Sequence, residues 1–249
     1  YSDDCEATLA RALAAARRVA GPAKFGIQLA HAGRKASAQV PWEGGQALHD
    51  DQDPWPTVSA SAIAFDAGWH VPQPLDDDGM DRVTDAFVHA ARRAVRLGFE
   101  VVELHSAHGY LLHQFLSPLS NQRDDAYGGT LADRLRFPLQ VLEAVRAVVP
   151  SSVALGMRIS ATDWVDGGWD VDDSIEYVGA AQSVGIDYVC VSSAGLTAQA
   201  RVPTLERRAR EGAPGEGHLP RWTDGRANAV TRQAPQVRAI VKKPCWKRI

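Results

Sequence analysis

Two segments of the chain share one construction. AVRLGFEVVELHS (residues 94–106) and AQSVGIDYVCVSS (residues 181–193) each run from a helical stretch through glycine, one apolar residue and an acid into a mostly apolar strand. A helix that hands over directly to such a strand, twice, specifies β-α units with parallel strands, expected to be buried on both faces. Parallel β-α repeats leave a doubly wound open sheet or a (β/α)8 barrel. No GxGxxG follows any strand, which weighs against the dinucleotide-binding form of the open sheet. Gln28 and His31, His105 and His108, Arg158, and Ser192 and Ser193 all fall at C-terminal ends of strands, where barrel enzymes build their sites. The expected fold class is therefore α/β, a (β/α)8 TIM barrel.

Periodicity places further strands at 24–32 and 153–160, beside those at 99–106 and 186–193. Helices are expected at the N-terminus (capped by Asp3 or Asp4 and stopped by Gly21), over 81–98, over 131–149 with an interruption near Pro138, and over 171–185. Residues 32–79 break the rhythm: they are rich in proline, hold three tryptophans and have no helical period. A loop this long in a compact domain is usually functional. It leaves the strand end that carries Gln28 and His31, so it is expected to cap the site.

Charge divides unevenly. Residues 201–249 hold 12 Lys+Arg against 4 Asp+Glu, while the chain as a whole has net charge −3. The tail is rich in Arg, Pro and Gly without a clear period. It reads as a disordered or misassigned end more readily than as a nucleic-acid arm. Nothing in the overall balance calls for a nucleic-acid or membrane partner, and no run reaches the ~18 apolar residues of a membrane helix. Cys5, Cys190 and Cys245 lie far apart and form no disulfide framework, which fits a reducing, cytoplasmic setting. The chain opens at Tyr1 and is almost at once in a helix with nothing before it to pack on, so it is expected to be a fragment.

The densest chemistry lies in VVELHSAHGYLLHQFLSPLSNQRDDAYGG (residues 101–129), which begins like a buried strand and ends like a loop. His105 and His108 stand where the chain leaves the strand, with Tyr110 behind them. As metal ligands they need further donors, and Glu103 is a candidate, although no HxH or HExxH pattern accompanies them. As neutral imidazoles they can each donate an N–H to one oxygen and stabilise charge developing on a carbonyl. Tyr110 could then deliver a proton to a neighbouring carbon. Both readings, a metal-dependent hydrolase and a carbonyl clamp, are open on the residues alone, as is a non-catalytic fragment.

GIQLAHAGRKAS, ELHSAHGYLLHQFLSPLSNQRDDAYGGT and LGMRIS resemble the old yellow enzyme family of FMN-dependent ene-reductases, in particular its bacterial thermophilic-type and xenobiotic-reductase-like class. The resemblance covers about residues 1–203. It implies a (β/α)8 barrel with FMN at its C-terminal mouth, NAD(P)H as reductant, and hydride delivery to the β-carbon of a small α,β-unsaturated carbonyl substrate. It assigns Gln28 to the flavin pyrimidine edge and Arg158 to the cation beside flavin N1 and O2. His105 and His108 become the grip on the substrate carbonyl, and Tyr110 the proton donor. The family's first two strands, with a redox-tuning cysteine, would precede Tyr1, and Cys5 does not match that cysteine. Residues 1–203 are thus expected to form a partial flavin-binding barrel with 32–79 as its capping loop. Residues 204–249 are expected to be a divergent tail, disordered or frame-shifted, without the family's phosphate-binding units. A homo-oligomer is compatible with the resemblance.

Overall fold

The computed structural model describes residues 2–200 and 202; the divergent tail expected from 204 onward lies outside the described residues. The chain forms helix α1 (Asp3–Val19), strand β1 (Gly26–Leu29), a short pair β2 (Val58–Ser59) and β3 (Gln73–Pro74), and helix α2 (Asp77–Arg96). Strand β4 (Val101–Ser106), helices α3 (Leu111–Leu116) and α4 (Leu131–Arg146), strand β5 (Ala154–Ser160), helix α5 (Val171–Val184) and strand β6 (Tyr188–Ser192) follow. Strands β1, β4, β5 and β6 make one sheet in that order, all parallel. Four consecutive parallel strands joined by helices are a β-α array, as the repeated junctions require. The expected α/β class holds, and among the described residues β1 and β6 are edge strands, so the barrel is incomplete there.

The register explains the site. Because side chains alternate across a strand, one row of aligned residues faces the helices and the next faces away. Leu29, Leu104, Met157 and Val189 align on the helix side. There Leu29, Leu104 and Met157 are buried and join the core with Phe87, Ala91, Val141, Val145, Tyr177 and Ala181 from α2, α4 and α5. The other face carries Gln28 aligned with Glu103, and His105 aligned with Arg158, which aligns with Cys190. Among the described residues the helix face is apolar save for Ser106, whose hydroxyl meets that of Tyr177 at 3.1 Å, and the opposite face is polar and partly exposed at Gln28, Glu103, Arg158 and Cys190.

The twin junctions do the same job twice. Gly98 and Gly185 close α2 and α5 at φ of 82° and 95°. The acid that follows each then accepts an amide at the start of the neighbouring strand, within one residue of its first position. Glu100 Oε2 takes Phe25 N at 3.0 Å, and Asp187 Oδ2 takes Leu155 N at 2.8 Å. Each acid also meets an arginine from a preceding helix, Arg17 at 3.0 Å and Arg146 at 3.5 Å. The amide contacts matter more: a hydrogen bond to a charged group contributes ~1.5–3 kcal/mol, whereas a solvent-exposed ion pair contributes ~0–1 kcal/mol. These junctions sit at the N-terminal end of the sheet, away from the polar strand ends.

Three local details differ from expectation. The cap of α1 is Ser2, whose side chain accepts from Cys5 N at 3.2 Å, rather than Asp3 or Asp4. Helix α4 runs unbroken through Pro138; the proline deletes one amide donor, and burial of Phe137, Pro138 and Val141, with the Phe137 ring 4.5 Å from that of Phe115 on α3, holds the helix across it. Helix α3, unforeseen in the motif that was expected to end as a loop, is a fully buried turn and a half. Residues 77–79 already form the first turn of α2, whereas residues 32–76 do lack α-helix. They hold three 3-10 turns and the β2–β3 pair, and pack back on the chain after β4 through Arg123 Nη1, which donates to Ala60 O at 3.0 Å and Leu75 O at 2.7 Å.

Candidate active site

Strand β4 delivers His105 at its penultimate position, and the chain then turns sharply. His108 and Gly109 both adopt positive φ, 56° and 71°. His108 N donates to Ser160 Oγ at 3.0 Å, so the end of β5 holds the turn from one side. The turn folds His108 back on His105, their rings perpendicular with centroids 5.0 Å apart. Tyr110 begins α3 and lies against His105 at 4.7 Å.

Hydrogen bonding fixes the protons. His105 Nδ1 accepts Ala107 N at 3.1 Å, so His105 carries its proton on Nε2. That N–H faces His108 Nδ1 at 3.2 Å, which leaves the His108 proton on Nε2, 2.7 Å from Ser192 Oγ. Two neutral imidazoles thus donate in series and end on a hydroxyl of β6. Both are pushed down to about 4, mainly by burial, with Arg158 and Lys35 adding positive charge nearby. His31, just past β1, is also lowered by burial, and its Nδ1 accepts Gly33 N at 3.0 Å.

This sets a pH dependence. An unfolded histidine titrates near 6.5 and these two near 4, so between those values the unfolded chain binds more protons than the folded one. The stability tied to their neutral state is complete above about pH 6.5 and is lost as pH falls towards 4. We expect the urea midpoint to drop across that window and the drop to shrink in His105→Gln/His108→Gln. An equal drop in the double variant would mean that other groups carry it.

Lys35 ties three pieces together. Its ammonium donates to His108 O and Gly195 O, each at 3.1 Å, and lies 4.5 Å from the Phe65 ring centre and 5.7 Å from that of Tyr110. Arg34 next to it is buried and donates to Ile63 O, Ala64 O and Leu196 O. The segment after β1, the 63–65 stretch and the turn after β6 therefore converge on the β4 exit. Sequence reading missed Lys35, Arg34 and Ser160; only their places just after β1 and at the end of β5 hinted at a role.

The remaining candidates lie on the polar sheet face. Gln28 Nε2 donates to Glu103 Oε1 at 2.7 Å. Arg158, aligned with His105, is half-buried, and its Nε is buried without a partner among the described residues. Glu103 is thus engaged with Gln28 while the two histidines face each other. Among the described residues no group of three or more His, Cys, Asp or Glu is placed to hold a metal ion. The donor set is instead N–H-rich: two neutral imidazoles, a guanidinium, a carboxamide and a phenol.

Comparison with known proteins bears on this arrangement. Residues 10–212 match the model of the NADH:flavin oxidoreductase / NADH oxidase family. The chain is 41% identical over 187 residues to an NADH:flavin oxidoreductase of Gibberella zeae, covering 70% of this chain and 45% of that protein. It is 40% identical over 174 residues to an NADPH dehydrogenase of Listeria monocytogenes, covering 70% and 46%. The chain thus spans about half the length of the curated relatives it matches. Morphinone reductase superposes with a TM-score of 0.62 at 28% identity, over 77% of this chain and 52% of that one. A 2-naphthoyl-CoA reductase superposes at 0.67 with 25% identity, over 79% and 30%. These neighbours are TIM-barrel members of the old yellow enzyme family, so the four-stranded sheet is part of that barrel.

Proposed function

The chain belongs to the NADH:flavin oxidoreductase / NADH oxidase family, and from that premise we propose that it forms the substrate-binding half of an FMN-dependent ene-reductase. The observation that carries the reading is the pair of neutral imidazoles at the β4 exit, His105 and His108, linked in series at 3.2 Å with their protons on Nε2. Two neutral donors suit an oxygen that gains negative charge during reaction, because they stabilise it without an ion pair in the ground state.

The polar sheet face fits a flavin. The orphaned Nε of Arg158 needs an acceptor, and a reduced flavin ring carries negative charge at its pyrimidine edge. Gln28 and Arg158 would hold that edge. When bound, FMN supplies a hydride that it has taken from NAD(P)H. Everything else falls to the chain's own side chains. His105 and His108 turn their Nε2–H groups onto the carbonyl oxygen of an α,β-unsaturated substrate, His105 exchanging His108 Nδ1 and His108 exchanging Ser192 for it. This draws electrons towards the oxygen and makes the β-carbon electrophilic. Tyr110 gives its phenolic proton to the α-carbon, so that one hydride and one proton add across the double bond. The residues at 32–79 cover this end and exclude water from the reacting atoms.

A chimera provides the test. Residues 1–203 replace the segment they match in the Listeria NADPH dehydrogenase, which then supplies the other half of the barrel. The expected result is a yellow protein whose NADPH oxidation is accelerated by cyclohexenone. A further expectation separates the half-reactions. Tyr110→Phe slows alkene reduction while NADPH reduces the flavin at the parent rate, because only the alkene step takes up a proton at carbon. Stopped-flow traces decide it; equal slowing of both steps would make Tyr110 a packing residue.

A further inference from the structure

Behind the candidate clamp lies a second histidine–carboxylate arrangement. His113 on α3 and Asp163 after β5 are both fully buried, with His113 Nε2 3.1 Å from Asp163 Oδ1. Neither atom has another partner among the described residues, so the contact, though off the ideal hydrogen-bond direction, is the one open to either. The other ring nitrogen of His113, Nδ1, accepts Gly109 N at 2.9 Å. The other carboxylate oxygen, Oδ2, accepts both Ser117 Oγ at 2.7 Å and Trp169 N at 2.9 Å.

We propose that the His113–Asp163 pair is a positioning device for the clamp: Asp163 holds His113 in the Nε2-protonated neutral tautomer, and the resulting bare Nδ1 pins the Gly109 amide and with it the left-handed turn that aims His108.

The proton assignment follows from the contacts. A nitrogen that accepts an amide N–H carries no proton of its own, so the proton of His113 sits on Nε2, opposite the carboxylate. Asp163 stays ionised there. Burial alone would raise it, but the close approach of His113 and the hydrogen bonds from Ser117 and the Trp169 amide outweigh that and leave it lowered. The turn needs such support. His108 holds φ 56° against a steric cost that only glycine escapes, and residues kept in that region persist when their surroundings over-determine them. Ser160 grips the His108 amide and Lys35 the His108 carbonyl, so His113 supplies the third hold, on the next amide. His113 lies four residues beyond Gly109, one helical turn into α3, which brings its ring under the turn.

Asp163→Asn tests the device. Two donors fix the oxygen of the new amide at the Oδ2 place, so its NH2 replaces Oδ1 and opposes the N–H of His113. His113 must then move its proton to Nδ1, where it collides with the Gly109 amide. In the full 249-residue chain, ¹⁵N-histidine NMR should find His113 protonated on Nε2 in the parent and shifted towards Nδ1 in Asp163→Asn. Exchange of the Gly109 amide should accelerate at least tenfold, with core amides such as Val141 unchanged. His113→Asn places its Oδ1 where Nδ1 was and should keep Gly109 protected, whereas His113→Leu should not. A parent His113 protonated on Nδ1, or a Gly109 amide indifferent to Asp163→Asn and His113→Leu, overturns the proposal. The functional consequence rests on the clamp reading, and the two can fail separately. Accelerated exchange together with an unaltered alkene half-reaction in the chimera would uphold the positioning device and reject the clamp.

Discussion

Replacing His105 or His108 by alanine in the chimera is expected to slow alkene reduction on the order of 10²-fold, the loss typical of one donor to a developing oxyanion, about 3 kcal/mol. Reduction of the flavin by NADPH should remain at the parent rate. The two variants should resemble each other because each removes one of the two Nε2–H donors that turn onto the same oxygen, releasing the 3.2 Å contact between His105 Nε2 and His108 Nδ1 as they do so. Phenols, which place an oxygen where the substrate carbonyl would sit, should bind more weakly to both. His108→Asn is the informative control. Asparagine tolerates the left-handed backbone that His108 adopts at φ 56° and keeps an N–H donor, so it should retain most of the rate. Alanine variants as fast as the parent would remove both histidines from the chemistry.

Gly109→Ala should be the most damaging single change to the fold near the site, costing on the order of 3 kcal/mol. At φ +71° a Cβ would lie 2.3 Å from Gly195 O and 2.7 Å from Leu196 Cα. The left-handed backbone alone costs an alanine ~1–2 kcal/mol; the remainder comes from pushing two backbones apart. Gly129 separates the two contributions. It has φ +77° with nothing within 4 Å of the added carbon, so Gly129→Ala should cost only the backbone strain. Urea unfolding of the two variants side by side checks this. If they lose equal stability, the close approach of the β4 and β6 exit turns carries no weight. The loss in Gly109→Ala should reach function as well, since Lys35 bridges the same two turns through His108 O and Gly195 O.

Much of this was legible because strands and helices write their periods into sequence. The glycine–apolar–acid junctions marked two helix ends and two strand starts, and the acids proved to hold neighbouring strands through Phe25 N and Leu155 N. The apolar runs of β4 and β5 located the strands, but composition could not tell which face carried the chemistry. Register did that, by aligning Gln28 with Glu103 and His105 with Arg158. His105, His108 and Tyr110 were visible as a cluster because the chain itself brings them together. Lys35, Ser160 and Asp163 were not, since each reaches the β4 exit from a distant segment and its residue type alone is common. His113 was hidden differently: it reads as one more polar residue in LLHQF until α3 turns it beneath Gly109. The uninterrupted α4 shows the same limit, because packing of Phe137 and Val141 decides what Pro138 would otherwise break.

The most direct test is anaerobic. The chimera is loaded with FMN, reduced with one equivalent of dithionite, and mixed with cyclohexenone while the flavin absorbance is followed. Residues 1–203, supplying His105, His108 and Tyr110 beside Gln28 and Arg158, should let the alkene reoxidise the flavin fully, with the saturated ketone formed in equal amount. A fully flavin-loaded chimera that stays reduced in the presence of the alkene would contradict the assignment of this chain as the substrate-binding half of an ene-reductase.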